Sequence, residues 1–570
     1  MQVVVCLIGI ALHSALCAQE YEHPVYPKGY FRNPLGVAMD LSGNFGELRP
    51  NHYHMGLDLK TLKRENLPVY AAAAGYIAKV KIEPGGFGRA IYINHPNGFT
   101  SLYAHLNDFF PALEAYIKRE QYRLEEWRIF IDIPPDLFPV RKGDFIAFSG
   151  NTGGSQAPHL HFEIRQTSDD VNLNPLLFGF SLKDNTTPRI LRLALYDRTR
   201  STYEQSPKLI PVKAAGSSRY VTTVPITTTN SPLVSFALTA YDTHTGSSNL
   251  NGIFESVLYK DDEAIVGFRM DGISYNDTRY MNAHIDYRTK SSGGSYLQHL
   301  SDLPGYINSI YKRNNGDGVL DLSDGEVHNI RIEVKDAYGN TSVVSTKVQY
   351  RPVQTVTRSA LPGKVFYPLM LDGFESDDCE FYIGERCLYD SVRVRYSKNI
   401  SATSQLLSAV HSIGSSYIPL QEAFLVRIKP IPALTEEQQE KTVVQWFSGA
   451  KKDVQKAEWQ NGWASAKFRD FGFFQLLLDE VAPVIVPIGF TDGSDLSRAT
   501  RIYFTVTDNF NKFKNVRTEL DGTWLRFTND KGRTFSYRFD EKCLTGQHVL
   551  KISVEDEAGN KTEKTYKFRR

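Results

Sequence analysis

The sequence has no excess of charge of either sign, and it has no long apolar run after its N-terminal segment. Its 65 Lys and Arg residues nearly balance its 64 Asp and Glu residues, which leaves a formal net charge of +1 over 570 residues. No long basic run occurs, so nothing in the sequence predicts binding to nucleic acid. Beyond the N-terminal segment no apolar run is long enough to cross a bilayer. We therefore expect a soluble mature chain without a stable membrane span.

Cysteines are also few, and their spacing does not match a cysteine-based zinc site. Of the five, Cys6 and Cys17 lie in the N-terminal segment, which leaves Cys379, Cys387 and Cys543. Cys379 and Cys387 flank Gly384 and face each other if this stretch is a hairpin. A disulfide between them would suit an oxidising compartment, and two buried free thiols are the alternative.

The N-terminal segment has the form of a secretory signal peptide. Residues 3–12 are apolar but too short for a stable membrane anchor, and small residues from Ala15 to Ala18 provide a cleavage zone. Two features depart from the usual pattern, because no Lys or Arg precedes the apolar core and His13 interrupts its end. We assign residues 1–18 to a signal peptide and expect export to the periplasm or cell envelope.

Length and aromatic content predict several β-rich domains. At about 100–200 residues per domain, the chain should divide into about three to five units. Its 31 Tyr and 33 Phe favour strands. Residues 19–180 form the first predicted unit. In it, two alternating runs joined by His95-Pro-Asn-Gly98 predict a hairpin. A helical insertion is expected at 107–139, either bordering a cleft or packing on the surface.

An internal repeat predicts two immunoglobulin-like sandwiches in the rest of the chain. Residues 327–342 and 547–562 each read as an alternating strand, then Asp-x-x-Gly-Asn, then a second strand. The Asp and Gly-Asn suit a tight turn of the kind that closes many such sandwiches. We place these domains at 186–352 and 481–570, with a less regular β-rich domain at 353–480.

One loop, residues 314–326, partly resembles a calcium-binding loop. Registered on Gly318, however, its first ligand position is Arg313 and its last is Asp324 rather than Glu. We therefore interpret it as a polar turn.

Five polar residues in the first unit carry the chemistry. His54 and Asp58 are four residues apart, His105 ends a predicted strand, and His159 and His161 are two apart and so share one face of a strand. Zinc prefers imidazole and carboxylate ligands, and a catalytic zinc uses three of them. The set predicts two His and one Asp as ligands of a single zinc, with two further histidines beside it.

Such a site can hydrolyse an amide. Zinc polarises the scissile carbonyl and lowers the pKa of its water to about 7. A neighbouring histidine can pass the proton to the leaving nitrogen, and another can donate a hydrogen bond to the oxyanion. A lone histidine on an apolar strand is usually structural, and we interpret His23, His52 and His95 in that way.

These segments resemble the lysostaphin-type (LytM-like) zinc metalloendopeptidases. That family carries His-x-x-x-Asp, then a histidine ending a strand, then His-x-His, and about residues 30–180 match this setting. The resemblance implies an antiparallel β-sheet groove with His54, Asp58 and His161 as zinc ligands and His105 and His159 assisting catalysis. It further implies peptidoglycan as the partner and peptide bonds of the stem peptides or cross-links as the substrate. The insertion is longer than the family's usual connection.

Two other functions compete with an active endopeptidase. Some relatives have lost ligands and activate other wall enzymes, so a non-catalytic regulator or wall-binding protein with the same fold is the alternative. The complete five-residue set argues against it. A third interpretation makes the β domains an adhesin or polysaccharide-binding surface, although sandwiches support many functions and we expect spacers or wall-targeting modules. The sequence does not predict the oligomeric state.

Overall fold

A computed structural model describes residues 25–305, 308–352, 362–399 and 407–570. The predicted signal peptide and His23 lie outside these residues. Within them, no helix is both long and apolar enough to cross a membrane.

The first module of the chain, residues 31–182, is built on an antiparallel sheet of ten strands. The main row has the spatial order Leu41–Gly43, Leu57–Lys60, His159–Gln166, Phe99–Ala104, Arg89–Asn94, Gly75–Ile82, Ile129–Asp132. Short strands at its edges are Pro139–Val140, Asn172–Leu173 and Gly272–Ile273. The predicted hairpin is confirmed, because Arg89–Asn94 and Phe99–Ala104 pair around Gly98, whose φ of 82° suits only glycine readily. Since Gly272–Ile273 belongs to the next module, the two modules share this sheet.

Smaller elements complete the first module. Two further sheets consist of Pro68–Tyr70, Phe145–Ser149 and Leu106–Phe109, and of Leu48–Arg49 with His52–Tyr53. The predicted insertion contains the α-helix Pro111–Leu124, which begins with Pro at its first position, where a missing N–H costs nothing. Its apolar side chains Leu113 and Ile117 are fully buried in the core of the first module. A 3₁₀ turn, Pro175–Phe178, follows the last strand.

The second module, residues 189–350, contains a twelve-stranded sheet. Its main row is Gln298–His299, Leu233–Tyr241, Arg189–Asp197, Lys208–Ala214, Arg219–Thr222, Thr341–Tyr350, Val327–Lys335, Glu255–Lys260, Glu263–Arg269, Tyr311–Arg313, with Thr227–Thr229 and Leu320–Asp321 attached. Short helices are Thr202–Glu204, Thr278–Tyr280, Met281–His284 and Tyr287–Ser291. Phe236 and Phe268, from strands far apart in the row, contribute to one core, so the sheet folds over itself.

The third module, residues 364–478, has two five-stranded sheets around one core. One is Asp372–Glu375, Cys379–Ile383, Pro419–Ile428, Trp463–Asp470, Glu458–Gln460, and the other is Tyr396–Asn399, Val410–Ile413, Gly472–Leu478, Thr442–Ser448, Lys451–Lys456. Lys364–Phe366 pairs with Val392–Val394, and a short helix spans Glu436–Glu440. Of the two alternatives for Cys379 and Cys387, the structure has buried free thiols.

The fourth module, residues 484–569, is a smaller sandwich. Its sheets are Val484–Ile488, Arg501–Thr507, Thr534–Arg538, and Ser494–Asp495, Lys561–Arg569, Gln547–Asp556, Phe513–Leu520, Thr523–Trp524. The predicted repeat is a hairpin in both places, Val327–Lys335 with Thr341–Tyr350 and Gln547–Asp556 with Lys561–Arg569. The mainly β fold class, with an antiparallel sheet followed by β-sandwich modules, is therefore confirmed.

Candidate metal centre

Adjacent strands bring the predicted side chains to one face of the first sheet. Asp58 and His161 are directly paired across the antiparallel ladder, so their side chains project to the same side. His54 is four residues ahead of Asp58 and returns to that side. The intervening residues Leu160 and Phe162 point the other way and are fully buried in the core. The alternation of the strand thus separates a polar face from an apolar one.

Three ligand atoms converge on this face. His54 Nε2 lies 3.0 Å from Asp58 Oδ1 and 3.0 Å from His161 Nδ1, and the last two are 2.9 Å apart. All three residues are buried. In a tetrahedral zinc site with bonds of about 2.0–2.1 Å, ligand atoms are about 3.3 Å apart. A nearly equilateral triangle of two imidazole nitrogens and one carboxylate oxygen fits three of the four corners.

The protonation of His54 shows why this triangle favours a cation. Its Nδ1 lies 2.7 Å from the carbonyl oxygen of Asn44, an acceptor only, so Nδ1 carries the proton. Burial lowers the pKa of His54 to about 4, and the ring is neutral near pH 7. Its Nε2 lone pair therefore faces the carboxylate of Asp58. Two lone pairs at this distance repel each other unless a positive charge lies between them.

His161 is oriented by Glu163, which the sequence analysis did not identify. His161 Nε2 lies 2.9 Å from Glu163 Oε1. Burial raises the pKa of Glu163, but Arg165 and His161 outweigh it and lower that pKa to about 2, so the carboxylate is ionised. Burial likewise disfavours charge on His161, yet Asp58 and Glu163 raise its pKa to about 9. Without a metal, His161 therefore carries a proton on both nitrogens near pH 7. Nε2 donates to Glu163, and Nδ1 donates to Asp58 Oδ1 with a proton that a bound metal would replace.

Arg49 supports the remaining ligand. Its Nη2 donates a hydrogen bond of 2.7 Å to Asp58 Oδ2, which leaves Oδ1 in the triangle. Burial raises the pKa of Asp58, but the three neighbouring histidines hold it well below its usual value. The carboxylate is therefore charged, and its two oxygens have separate partners.

Glu163 is itself held by four donors from two modules. Its Oε2 accepts hydrogen bonds of 2.7 Å from Arg165 Nε and 2.7 Å from Asn172 Nδ2. Its Oε1 accepts one of 2.7 Å from the hydroxyl of Tyr275, which belongs to the second module. The His-x-His-x-Glu spacing along one strand face could have indicated Glu163, but no local pattern could identify Tyr275, which is far away in the chain.

His105 and His159 flank the triangle. Their ring centroids are 4.8 Å apart, and the His105 centroid is 5.9 Å from that of His161. His105 has a φ of 60° and its Nδ1 lies 2.9 Å from the carbonyl oxygen of Thr152, so its Nε2 is unprotonated when the ring is neutral. Burial, reinforced by His161 and His159, lowers the pKa of His105 to about 3. His105 is a neutral ring with a free lone pair.

His159 is oriented by backbone and by a serine. Its Nδ1 lies 2.8 Å from the carbonyl oxygen of Ala157 and 3.1 Å from Ser155 Oγ, while its Nε2 lies 3.3 Å from Asp58 Oδ1. With Nδ1 donating to the carbonyl, the other nitrogen is directed towards the triangle. All five predicted site residues are thus brought together.

The histidines interpreted as structural lie apart from the triangle. His95 is buried, with Nδ1 2.8 Å from the carbonyl oxygen of Ala74 and Nε2 2.8 Å from Ser101 Oγ. His52 is exposed and its Nδ1 lies 2.8 Å from the carbonyl oxygen of Pro50. Neither contributes an atom to the triangle.

The triangle opens into a cleft of about 1370 Å³. One wall is formed by residues 154–159 and another by residues 60–63 of the first module. Ser248, Asn249, Tyr275 and Thr278 of the second module also line it. Among the described residues that line the cleft, none comes from the insertion 107–139. That insertion instead contacts the fourth module, because Lys118 Nζ donates a hydrogen bond of 2.6 Å to Asp540 Oδ2.

The fourth module also reaches one wall of the cleft. Lys531 Nζ donates hydrogen bonds of 3.2 Å to the carbonyl of Gly153 and 2.8 Å to the carbonyl of Ser155. Ser155 in turn contacts His159. A residue near the end of the chain therefore fixes the loop that orients a histidine of the site.

Comparison with known families supports the assignment of the first module. The model of the family described as "Peptidase family M23" matches residues 52–122, which include His54, Asp58 and His105. The model described as "Zu5-like domain" matches residues 366–479. The M23 match ends within the helix of the insertion, and His159 and His161 lie after it.

Curated relatives are similar over the same region. The chain is 34% identical to lipoprotein NlpD of Yersinia enterocolitica over 105 residues. This aligned region covers 18% of this chain and 84% of that protein. The chain is 35% identical to DD-carboxypeptidase/endopeptidase Mpg of Neisseria meningitidis over 119 residues. This aligned region covers 21% of each chain, so this chain spans only about a fifth of that relative. The catalytic domain of lysostaphin from Staphylococcus simulans is 24% identical, with a TM-score of 0.17, over 24% of this chain and 87% of that one.

Proposed function

Because the chain belongs to peptidase family M23, we propose that it is a secreted zinc metalloendopeptidase that hydrolyses peptide bonds in the stem peptides or cross-links of peptidoglycan. The observation that carries the proposal is the triangle of His54, Asp58 and His161 with two further histidines, His105 and His159, beside it. A structural metal site needs no such neighbours, whereas amide hydrolysis needs a proton carrier and an oxyanion donor.

The residues present fit one zinc ion. His54, Asp58 and His161 would hold it, because two imidazole nitrogens and one carboxylate oxygen converge at nearly tetrahedral spacing and open into a cleft, and zinc would replace the proton on His161 Nδ1. Bound there, zinc would supply Lewis acidity to the scissile carbonyl and bring the pKa of a water to about 7. Arg49 and Glu163 would keep Asp58 and His161 in position.

His105 is suited to move the proton. Its ring is neutral, its Nδ1 is held by the Thr152 carbonyl, and its Nε2 lone pair is available on the cleft side. A neutral histidine at this position would accept a proton from the attacking water, and its low pKa would favour passing that proton to the leaving nitrogen, which would then depart as an amine. His159 is positioned to donate a hydrogen bond to the oxyanion when both of its nitrogens are protonated, because its Nδ1–H is held by the Ala157 carbonyl and its Nε2 is directed at the triangle.

The size of the cleft supports a peptide substrate. About 1370 Å³ is more than a single amino acid needs, and the groove is open rather than enclosed. Peptidoglycan is proposed as the source of that peptide because the similar Neisseria protein is named a DD-carboxypeptidase/endopeptidase. A location in the periplasm or cell envelope is proposed with it.

The test combines metal content with release of soluble fragments from purified peptidoglycan. We expect about one zinc per wild-type chain and fragment release, and loss of both for His161→Ala. His52→Ala is the matched control, a histidine at the same cleft that should keep the zinc. Zinc without release on any wall preparation would favour the non-catalytic regulator, and absence of both would refute the enzyme.

A further inference from the structure

A second group of ligand atoms lies outside the cleft. One carboxylate oxygen from each of Asp184, Asp242 and Asp336 lies within 4.8 Å of the others. Asp184 is on the segment that connects the first and second modules, Asp242 follows the strand Leu233–Tyr241, and Asp336 begins the Asp-x-x-Gly-Asn turn. Three chain segments that are distant in sequence thus direct like charges at one point.

Asp242 is the member that calls for a ligand. Its side chain is buried, with only 6% of the residue exposed, and its Oδ1 has no hydrogen-bond partner. Burial, with Asp336 and Asp184 close by, raises the pKa of Asp242 to about 7. A buried carboxylate oxygen without a partner costs stability, and so do three like charges at this separation. A cation removes both costs at once.

The other two carboxylates are already positioned by local donors. Asp336 Oδ1 accepts hydrogen bonds of 2.9 Å from the Tyr338 N–H and 2.8 Å from the Asn340 N–H, and its Oδ2 accepts one of 2.6 Å from Asn340 Nδ2. Asp184 Oδ1 accepts from the N–H of Thr186 at 2.9 Å. These donors fix the carboxylates while leaving Asp242 Oδ1 for a further partner.

The internal repeat provides a comparison within the same chain. In the fourth module Asp556 accepts from the N–H and side chain of Asn560, as Asp336 does from Asn340, and Asn560 donates to the backbone of Asp479. Asp508 Oδ1 is again without a partner. In the fourth module, however, the side-chain amide of Asn509 donates a hydrogen bond of 3.0 Å to the Asp479 carboxylate.

The second module has no such amide, because Thr243 stands at the position of Asn509. Thr186 and Thr245 donate to the Asp184 carboxylate instead. The corresponding carboxylates of the fourth module are not among the close groups of ligand atoms found in the described residues. Of the two repeats, only the one in the second module has a close carboxylate group among the described residues.

We propose that Asp184, Asp242 and Asp336 bind a divalent cation of the calcium class. The ligands are all oxygens and carry up to three negative charges, which suits a hard cation such as Ca²⁺ rather than zinc, whose protein sites favour nitrogen and sulfur. Asn251, paired with Asp242 across an isolated bridge, has a buried amide oxygen without a partner and adds a neutral oxygen on the same side.

The position of the site gives the cation a structural role. It joins the connecting segment, through Asp184, to the second module. Asp242 also begins the loop that carries His244, which contacts Asp40 of the first module at 3.1 Å, and Ser248 and Asn249, which line the cleft. Binding the cation would therefore fix the second module's wall of the cleft relative to the first module. This inference does not depend on the chemistry proposed for the cleft.

The test uses the full chain, freed of metal with a chelator and returned to one equivalent of Zn²⁺. Calcium binding is measured as the rise in unfolding temperature on adding CaCl₂, and directly with Tb³⁺. Terbium replaces calcium at oxygen sites and emits when a nearby tyrosine absorbs. Tyr338, whose pKa is raised by burial and by Asp184 and Asp336, lies close enough to sensitise it.

We expect one Tb³⁺ site per chain, displaced by Ca²⁺, and a rise of roughly 5 °C or more when Ca²⁺ is about 100-fold above its Kd. Asp242→Asn should weaken binding at least 10-fold. It should also be as stable as wild type or more so without calcium, since it relieves the repulsion, and less stable with calcium. Asp508→Asn in the fourth module is the matched control and should bind as wild type does.

Several outcomes would overturn the proposal. One is a wild-type chain that shows neither Tb³⁺ emission nor a calcium-dependent rise in unfolding temperature. Another is equal binding by Asp242→Asn and wild type, and a third is equal loss in Asp508→Asn. If Asp242→Asn does not fold, Asp184→Asn on the half-buried connecting segment replaces it, with the same expected loss of binding. Zinc content and peptidoglycan cleavage, measured separately, report on the cleft alone.

Discussion

Replacing Tyr275 by Phe tests whether the second module positions a metal ligand in the first. The change removes only the hydroxyl group, which donates a hydrogen bond of 2.7 Å to Glu163 Oε1. A hydrogen bond to a charged group contributes about 1.5–3 kcal/mol. Glu163 keeps Arg165 and Asn172 on its other oxygen, and Tyr275 is 37% exposed, so the lower end applies. About 1.5 kcal/mol corresponds to roughly a 10-fold loss of zinc affinity, within the range for supporting residues.

The assay is competition for zinc against a chelator of known affinity, followed by thermal unfolding of the apo chain. Tyr275→Phe should weaken zinc binding about 10-fold, and the apo chain, which loses the same hydrogen bond, should unfold roughly a few degrees lower. The control is Tyr259→Phe. Tyr259 lies on a strand of the same module, its ring packs against the Arg331 guanidinium, and its replacement should leave zinc affinity unchanged. Wild-type zinc affinity in Tyr275→Phe would refute the positioning role, whatever happens to activity.

Three further predictions concern the modules around the cleft. Lys531→Met removes the donor to the carbonyls of Gly153 and Ser155, so we expect fragment release from peptidoglycan to fall about 10-fold with zinc content unchanged, which corresponds to about 1.5 kcal/mol for one charged hydrogen bond. Burial lowers the pKa of His328, but Asp261 and Asp324 outweigh it and raise that pKa. The stability from these contacts is full below about pH 6.5 and is lost as pH rises through the folded-state pKa, which calorimetry at pH 6 and 8 measures. Leu113→Ala in the helix of the insertion should cost about 2–5 kcal/mol of unfolding free energy, because the side chain is fully buried.

Each of these has a matched control. Lys551→Met, at an exposed pair with Glu563, should leave fragment release unchanged. His328→Asn should remove the pH-dependent part of the stability, and a slope equal to wild type would contradict the assignment. Leu124→Ala, at an exposed position of the same helix, should cost little. An equal loss at both helix positions would mean that burial of this face is not what stabilises the insertion.

The convergence of the five predicted residues could be foreseen because Asp58, His159 and His161 lie on strands with a readable period, while His54 and His105 lie within three residues of a strand end. Alternation placed His159 and His161 on one face, and the spacing of His54 and Asp58 returned them to a common side. The hairpin around Gly98 and the repeated Asp-x-x-Gly-Asn turns were predictable for the same reason, since their turn residues have local conformational requirements. The predicted domain boundaries stay predictions.

The support of the site was not predictable, because it depends on contacts between modules. Tyr275 reaches Glu163 only because the strand Gly272–Ile273 joins the sheet of the first module. The group of Asp184, Asp242 and Asp336 arises from three separate segments, and no motif links them. The one segment with a partial calcium motif, residues 314–326, contributes no residue to that group. Short patterns report on single elements, whereas these sites are set by tertiary packing.

The most direct test of the enzymatic function is mass spectrometry of purified peptidoglycan after treatment with the zinc-loaded full chain. We predict that wild type generates new amino termini at one class of peptide bond. His105→Ala should retain about one zinc per chain but lose cleavage by at least 100-fold, as expected for removal of the proton carrier. A zinc-loaded wild-type chain that produces no new amino termini, or a His105→Ala variant that cleaves as wild type does, would contradict the account.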